Sequence, residues 1–388
     1  MRRPPRLVSV AAAALAAAAL ACAGGAGAAA APAPAARAAA SALVAEGGGW
    51  GHGVGMSQWG AQGFARHGKG YRWIVRRYYR GTTLGRVGAG RRVRVLLNTH
   101  GPVTIRGAVR AGGRRLSPRV AYRASVAGGA IALRGGGTTV RIAPKTPVTG
   151  RPTVAVGRLG RYRGALLLSV SPDDGGLRVV NRVGLEEYLR SVVPNEAYAD
   201  WAPAALKAQA VVARSYALAI VKGDGRDYDQ VDDTRSQRYT GVGAETRATD
   251  AAVRATRGQV VRYRGRTIPA YFHASSGGHT ENVEVGFDGA PPAPYLVGVP
   301  DPYDGDSPLN TKHRWLQRFA LAQAEARLRD AGLLDGGLLG IEIVSRGASP
   351  RIATARILGS GGETTATGSD LQRALALPDI PSSLTLVR

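Results

Sequence analysis

Residues 185–223 read LEEYLRSVVPNEAYADWAPAALKAQAVVARSYALAIVKG and contain the strongest structural signal in the chain. Residues 201–221 are predicted to form a helix, because apolar side chains recur there every three or four residues. Asp200 is the expected N-cap, and Pro203 suits the first turn because a proline there loses no helical hydrogen bond. The predicted buried face comprises Leu206, Ala210, Ala213, Ala217 and Ile220.

A single carboxylate, Glu196, follows the run VVPN (192–195) and is predicted to lie in a turn at the mouth of this helix. One interpretation is a solvated turn residue, or a carboxylate stabilised by a helix N-terminus. The other is a general acid, whose carboxyl group must stay protonated near neutral pH in apolar surroundings. The side chains of VVPN and Trp201 are candidates for those surroundings, whereas a helix dipole and nearby cations favour the ionised form. The residues alone leave both interpretations open.

Two cations of the predicted helix, Lys207 and Arg214, are seven residues apart. They therefore project from nearly the same side of the helix, about 10 Å apart along its axis.

The run VVPNEAYADWAPAALKAQAVVARSYAL (192–218) resembles the signature of the SpoIID/LytB family, which comprises stage II sporulation protein D and the amidase enhancer LytB. The resemblance implies that Glu196 is the catalytic acid of a lytic transglycosylase. It also implies that Lys207 and Arg214 line the cleft.

A glycine-rich segment precedes everything else, and residues 51–61 of it read GHGVGMSQWGA. Helices are predicted at 57–65 and 71–79, and taken alone the motif is a tight turn with a histidine packed beside it. The motif also resembles the SpoIID/LytB pattern, although in many members it closes the chain. Its position here implies a circularly permuted order of the same core. By this resemblance His52, Gln58 and Trp59 border the cleft.

Residues 275–279 read SSGGH and invite comparison with a Ser/His nucleophile pair. The serines lack the G-x-S-x-G elbow, and no third orienting acid is identifiable, so a hydrolase triad is disfavoured. The stretch resembles a family motif that flanks the cleft. That resemblance implies that the glycan site is shaped by Tyr271, His273, Ser275, Ser276, Gly277 and Gly278.

The predicted fold class is α+β: a SpoIID-like mixed core with a β-rich accessory domain, circularly permuted. The expected limits are 1–40 for a signal peptide and linker, 46–85 for the first core segment, 90–182 for the β-rich domain and 183–388 for the main core. Short β-type runs separated by glycine-rich turns indicate the accessory domain. A scaffold is its favoured role, with Tyr122 and Tyr162 as candidates for glycan stacking. Residues 316–331 are predicted to be helical.

The chain has 52 Lys and Arg against 27 Asp and Glu, a net charge of +25. This excess favours an acidic partner such as an anionic lipid or wall polymer, although a GC-rich genome also enriches arginine. Nucleic acid is disfavoured, because neither a zinc-finger spacing nor an aromatic ribonucleoprotein motif is present. The only cysteine, Cys22, falls in the leader, so the mature chain offers no disulfide or thiolate site. The sequence predicts no metal and no cofactor.

Residues 1–40 are predicted to be an export signal, with Arg2, Arg3 and Arg6 before an apolar run at 7–20 and small residues after it. A secreted or wall-associated protein is expected, and a lipoprotein at Cys22 or a retained signal anchor are the alternatives. No integral membrane domain is expected beyond this segment.

Together these inferences favour an exported lytic transglycosylase. Its substrate would be peptidoglycan glycan strands stripped of stem peptides, in wall remodelling or sporulation, with a cell-wall amidase as possible partner. The alternative is a non-catalytic wall protein that enhances an N-acetylmuramoyl-L-alanine amidase. A third class is a structural protein whose basic surface adheres to anionic wall polymers.

Overall fold

The computed structural model describes residues 42–97, 101–220 and 227–387. The expectations for residues 1–40, which include the export signal and Cys22, lie outside the described residues. Within the described ranges, no helix combines the length and apolar character needed to cross a membrane.

Helices and strands are both abundant in these ranges, which confirms the α+β class. The α-helices are α1 (Gln58–Arg66), α2 (Tyr71–Tyr78), α3 (Leu185–Glu196), α4 (Pro203–Ala219), α5 (Arg247–Ala255), α6 (Val283–Gly286), α7 (Leu321–Asp330) and α8 (Gly368–Leu375). The strands are β1 (Ala42–Gly47), β2 (Met56–Ser57), β3 (Thr83–Arg86), β4 (Arg92–Leu96), β5 (Val103–Ala111), β6 (Arg114–Arg115), β7 (Tyr122–Ala127), β8 (Ala130–Gly135), β9 (Thr138–Ile142), β10 (Pro147–Val156), β11 (Gly160–Tyr162), β12 (Ala165–Val170), β13 (Leu177–Gly184), β14 (Gln230–Val231), β15 (Gln259–Tyr263), β16 (Arg266–Thr267), β17 (Phe272–His273), β18 (Trp315–Ala320), β19 (Leu338–Arg346), β20 (Ile352–Gly359), β21 (Gly362–Thr367) and β22 (Ser383–Val387).

The helix predicted at 316–331 is wrong in its first part. Residues 315–320 form β18, which pairs with β1, and α7 starts only at Leu321. The sequence WLQRFA alternates between buried and exposed positions, with Trp315 and Phe319 in the core. Pairing with a strand from the other end of the chain decided its conformation, and local periodicity cannot reveal that pairing.

Eleven of the described strands form one mostly antiparallel sheet: β4 to β13, which begin within residues 90–182, and β14 from the main core. Its main path runs β14-β4-β13-β12-β10-β5-β7-β8-β9, with β6 on β5 and β11 on β10. The apolar face of the sheet forms one core with α3 and with part of α4. Tyr122 and Tyr162 are buried in this core, so they are not the glycan-stacking residues that the sequence predicted.

The first described segment is built into the second half of the molecule. Strand β1 lies between β18 and β22, β2 pairs with β17 in parallel, and β3 pairs with β15. The circular permutation and the domain limits remain predictions. Strand β13 nevertheless crosses the expected limit between residues 182 and 183 without a linker and leads directly into α3.

Helix α4 lies between two hydrophobic cores. Ala210, Ala213 and Ala217 contact the core of α3 and the large sheet. Val211 and Val212, on an adjacent face, contact the core that contains α1 and α2. Most of these side chains are small, so neighbouring helices can approach α4 closely. The packing of α3 and α1 on the same helix holds the end of α3 in place relative to the start of α1.

Candidate functional site

Glu196 is the last residue of α3, so the predicted turn starts one residue later than expected. The VVPN run is helical despite Pro194, and a loop of six residues then leads to α4. The predicted N-cap Asp200 is not used, because Ala202 occupies that position. The negative end of the helix dipole destabilises a charged carboxylate at a helix C-terminus, so this position favours the protonated form of Glu196.

The carboxyl group of Glu196 accepts two hydrogen bonds. The backbone N–H of Arg238 donates to Oε1 at 3.2 Å, and the Gln58 side-chain amide donates to Oε2 at 3.5 Å. Burial raises the pKa of Glu196 from 4.5 to about 7, although both hydrogen bonds and the charge of Arg238 act in the opposite direction. The residue keeps partial solvent exposure. Glu196 is therefore a carboxylic acid that holds its proton up to neutral pH.

Two tyrosines lie on the same side of the site. Burial raises the pKa of Tyr216, and the nearby charges of Tyr271 and Glu196 add to the shift. The Tyr216 and Tyr271 rings meet edge to face, with centroids 5.9 Å apart. Tyr216 thus connects the predicted residue Tyr271 with the acid. The sequence analysis did not identify Tyr216 as a site residue.

An aromatic cluster made of Trp59, Tyr198 and Trp201 lies close to the acid along the chain, because Tyr198 follows Glu196 by two residues and Trp59 follows Gln58, which donates to Glu196. The ring centroids are 4.9 Å apart for Trp59 and Trp201 and 5.9 Å apart for Trp59 and Tyr198. Tyr198 is 61% exposed. The cluster lines an open groove of about 210 Å³, whose walls also carry Asp200 and Asp306; Glu196 itself is not part of this lining. Exposed aromatic faces of this kind suit the apolar faces of sugar rings.

Arg214 does not line this cleft, contrary to the prediction. Its side chain is fully buried and donates to both Glu186 carboxylate oxygens, at 2.9 and 2.7 Å. It also donates to the carbonyl oxygens of Gln259, Val253 and Ala210. All of its donors point into the protein, so Arg214 is a structural ion-pair residue.

Lys207 shares the side of α4 that carries Arg214, as the spacing of seven predicts. Tyr216 lies two residues beyond Arg214, and two residues rotate a helix by about 200°. Tyr216 therefore faces away from Lys207, and it is Tyr216 that lies near the acid. Lys207 is partly exposed, but its position on the helix does not support the predicted contact with the cleft.

His52 and His273 pack behind the tyrosines. The His52 ring lies 6.1 Å from Tyr271 and 5.5 Å from His273, between centroids. Burial lowers the pKa of His52 to about 4 and that of His273 well below its usual value. Both rings are neutral at physiological pH, and neither can act as a charged acid there. Within the described ranges, no group of three or more His, Cys, Asp or Glu is placed to hold a metal ion.

The SSGG segment is held by two buried carboxylates that the sequence interpretation missed. Asp304 accepts from the hydroxyl of Ser275 at 2.7 Å and from the backbone N–H groups of Ser276 and Gly277 at 2.9 and 3.0 Å. Asp301 accepts from the Ser276 hydroxyl at 2.8 Å. Both serines are buried. Their hydroxyls are committed to these carboxylates, so the predicted contact of Ser275 and Ser276 with glycan does not fit the structure.

The two carboxylates differ in protonation. Burial raises the pKa of Asp301 to about 7, and the neighbouring Asp304 charge adds to the shift. Burial acts on Asp304 in the same direction, but hydrogen bonds from His313, Ser275 and Ser57 outweigh it and hold its pKa well below the usual range. Asp304 is the charged centre of this network.

Gly277 and Gly278 adopt left-handed backbone conformations, and a Cβ on Gly277 would lie 2.3 Å from the backbone of Gly48. Ser276 and Gly277 border a separate groove of about 560 Å³, together with Arg314 and Trp315. Glu196 is not part of its lining. Among the predicted site residues, Gln58 contacts the acid, Trp59 is its chain neighbour and Tyr271 packs on Tyr216. The SSGG segment belongs to the supporting framework.

Comparisons with known proteins identify relatives of the sequence. Residues 173–263 match the model of the family described as Stage II sporulation protein, SpoIID. Stage II sporulation protein D of Bacillus subtilis is 32% identical over 215 residues, covering 51% of this chain and 59% of that protein. The amidase enhancer of Bacillus subtilis is 34% identical over 116 residues, 30% of this chain and 15% of that protein. An uncharacterized protein of Brachyspira hyodysenteriae, BHWA1_00569, is 39% identical over 140 residues, 36% of this chain and 37% of that protein.

These matches support the SpoIID/LytB family. The predicted resemblance is thereby confirmed. The chain spans less than two thirds of the length of each of these relatives.

The SpoIID segment at 173–263 contains only part of the candidate site. Glu196, Tyr216 and the backbone of Arg238 lie inside it. Gln58 and Trp59 come from the GHGVGMSQWGA motif, and Tyr271 follows the segment. Tyr216 is part of the family signature at 192–218, in its last four residues SYAL. Membership of that signature was the one sequence signal that could have identified Tyr216. Nothing local identified Arg238, whose contact is made by the backbone.

Proposed function

We propose that this SpoIID/LytB protein is an exported peptidoglycan lytic transglycosylase with Glu196 as its catalytic acid. The relatives named for sporulation and for amidase enhancement support a cell-wall-related function. The observation that carries the finer proposal is the Glu196 carboxyl group, whose pKa is raised to about 7. Tyr198, two residues further along the chain, lines an exposed aromatic groove. A general acid works best when its pKa lies near the operating pH.

The proposed reaction uses one carboxyl group twice. Protonated Glu196 donates its proton to the oxygen of the MurNAc–GlcNAc bond, and the bond between that oxygen and the muramyl C1 breaks. The carboxylate then accepts the proton of the muramyl C6 hydroxyl, whose oxygen bonds to C1 and gives the 1,6-anhydro end. No water is consumed, unlike in hydrolases that place a second carboxylate beside the sugar.

The surrounding residues have positioning roles in this proposal. Gln58 and the Arg238 backbone orient the carboxyl group, and their donated hydrogen bonds stabilise the carboxylate that forms during the reaction. The Trp59, Tyr198 and Trp201 rings provide a platform for sugar rings. Following the family resemblance, the substrate is glycan from which an amidase has removed the stem peptides.

Product analysis by mass spectrometry tests this proposal. Wild type and Glu187→Gln should yield 1,6-anhydromuramyl ends from peptide-free glycan, whereas Glu196→Gln should yield none. Glu187 is a matched control, because it lies on the same helix and is exposed. Equal product from Glu196→Gln would refute the role of the acid. Reducing-end products that disappear in Asp200→Asn would instead identify a hydrolase that uses the groove carboxylate as its second acid.

The similarity to the amidase enhancer favours a second candidate, a wall-binding protein that stimulates an N-acetylmuramoyl-L-alanine amidase. This candidate does not need the raised pKa of Glu196. It predicts that purified protein accelerates peptide release by an amidase, and that Glu196→Gln accelerates it equally. Loss of both stimulation and glycan cleavage in Glu196→Gln would count against it.

A further inference from the structure

The net positive charge of the chain is concentrated in one part of the sequence. Residues 47–172 contain 23 Lys and Arg and no Asp or Glu. Residues 173–388 contain 25 Lys and Arg and 26 Asp and Glu, so they are almost neutral. The net charge of +25 therefore comes almost entirely from 47–172. A GC-rich genome accounts for abundant arginine, but it does not account for the exclusion of acids from this segment alone.

The strand register places five of these arginines side by side on the large sheet. Arg161 of β11 and Arg106 of β5 both pair with Ala155 of β10. Arg123 of β7 pairs with Thr104, two positions from Arg106, and lies directly opposite Arg134 of β8. We call Arg161, Arg106, Arg123, Arg134 and Arg141 the arginine row.

The fifth member, Arg141 of β9, pairs with Ala132, two positions from Arg134. Paired residues, and residues two apart on a strand, share one face of a sheet. The row therefore occupies one face and crosses six neighbouring strands. At about 4.8 Å per strand step, its length is about 24 Å.

The row faces solvent. All five of its arginines are exposed. Their chain neighbours Ile105, Tyr122 and Leu133 point to the opposite face and are buried in the core. The fold therefore presents the arginines on the outer face of the sheet while the inner face packs on α3.

The row has no internal counter-charge. Among the described residues, none of its five arginines forms an ion pair with a carboxylate; Arg134 donates to the Ser125 hydroxyl at 2.9 Å and Arg161 to the Thr153 hydroxyl at 3.4 Å. Like charges directly opposite on neighbouring strands destabilise a sheet, as Arg123 and Arg134 must do. An external anion would remove that repulsion.

We propose that the arginine row binds a linear phosphodiester polymer of the polyol phosphate type, as an anchor separate from the Glu196 site. Arginine presents a planar fork of donors that matches the two free oxygens of a phosphodiester. A row about 24 Å long suits a repeating chain of charges. The aromatic residues of strands β5 to β12, Tyr122 and Tyr162, are buried, so the face offers no platform for stacked bases.

Binding to purified poly(glycerol phosphate), measured with the full chain, tests the proposal. The variant Arg123→Gln, Arg134→Gln, Arg141→Gln, Arg161→Gln should bind at least about tenfold more weakly at physiological salt. Its slope of log affinity against log salt should fall by about three, because each phosphate contact contributes about 0.7 to 0.9. It should melt no lower than wild type, since the change removes repulsion.

A matched control removes the same four charges elsewhere: Arg247→Gln, Arg254→Gln, Arg257→Gln, Arg266→Gln. These four arginines are exposed, and the variant should bind like wild type. An equal loss in the control would overturn the proposal, because net charge alone would then explain binding. Equal or stronger binding of the wild type to polyglutamate, a DNA oligomer or anionic vesicles would overturn it in favour of carboxylates, nucleic acid or membrane.

Discussion

The Gln58 amide nitrogen lies 3.5 Å from Glu196 Oε2, although 138 residues separate the two along the chain. This contact joins the GHGVGMSQWGA motif to the VVPNE motif at one carboxyl group. The hydrogen bond from Gln58 also lowers the pKa of Glu196, because it stabilises the carboxylate, whereas burial raises that pKa. The balance leaves the pKa of Glu196 at about 7.

Glu196→Gln should stabilise the protein at alkaline pH. The folded pKa of about 7 lies above the unfolded value of 4.5, so the wild type loses stability as pH rises through this interval. Below about pH 4 the group is protonated in both states, and the variant should gain little. At pH 8 we expect the free energy of unfolding of the variant to exceed that of the wild type by about 2 kcal/mol. This is less than the full pKa shift of Glu196 implies, because the residue is partly exposed. Urea unfolding at the two pH values measures the difference, and Glu187→Gln should show no such trend.

Gln58→Leu should raise the pKa of Glu196 further, because it removes a hydrogen bond that favours the carboxylate. For cleavage that depends on the protonated acid, kcat/KM falls as pH rises through this pKa. The alkaline limb of the profile should therefore move to higher pH in the variant. Gln323→Leu, the same substitution at an exposed position of α7, is the control and should leave the limb in place. A limb that moves to lower pH in Gln58→Leu would contradict the assignment.

Arg214→Met should reduce stability without changing glycan affinity. The substitution leaves Glu186 without its buried partner, and breaking such a pair costs about 3 kcal/mol or more. The double variant with Glu186→Gln should recover part of this loss, as a coupled pair requires. Unfolding curves and KM values separate the two roles. A raised KM with normal stability would restore the original prediction that Arg214 contacts substrate.

Tyr198→Ala should weaken glycan binding with little effect on stability, since its ring is 61% exposed. Loss of one stacking ring is worth about 1 kcal/mol, or roughly a fivefold rise in KM. Trp73→Ala is a useful control, because Trp73 is 43% exposed and its ring packs on Phe64, outside the Trp59, Tyr198 and Trp201 cluster. An unchanged KM in Tyr198→Ala would remove the aromatic groove from the proposed glycan path.

The sequence predicted Glu196 as a candidate acid and α4 as a helix because those signals are local. Glu196 lies in a motif, and α4 has a strong apolar period. The orientation of α4 was not predictable in the same way. A spacing of seven shows that Lys207 and Arg214 share a side, but only the positions of Glu186 and β15 show that Arg214 is buried.

Long-range contacts explain the other differences between the sequence-based predictions and the structure. The SSGG serines looked like substrate ligands because Asp301 and Asp304 follow them by about 25 residues, in a proline-rich stretch without periodicity. Phe272 and His273 pair with Met56 and Ser57, which belong to the first motif near the other end of the described chain. Pairings between distant segments leave no periodic signal in either segment.

Cleavage of peptide-free glycan in water labelled with heavy oxygen shows whether water takes part in the reaction. If Glu196 acts alone, the muramyl ends are lighter than reducing ends by the mass of one water, contain no heavy oxygen, and are absent with Glu196→Gln. Reducing ends that carry heavy oxygen would mean that water attacks C1. That result would contradict a mechanism in which Glu196 alone serves as acid and then as base.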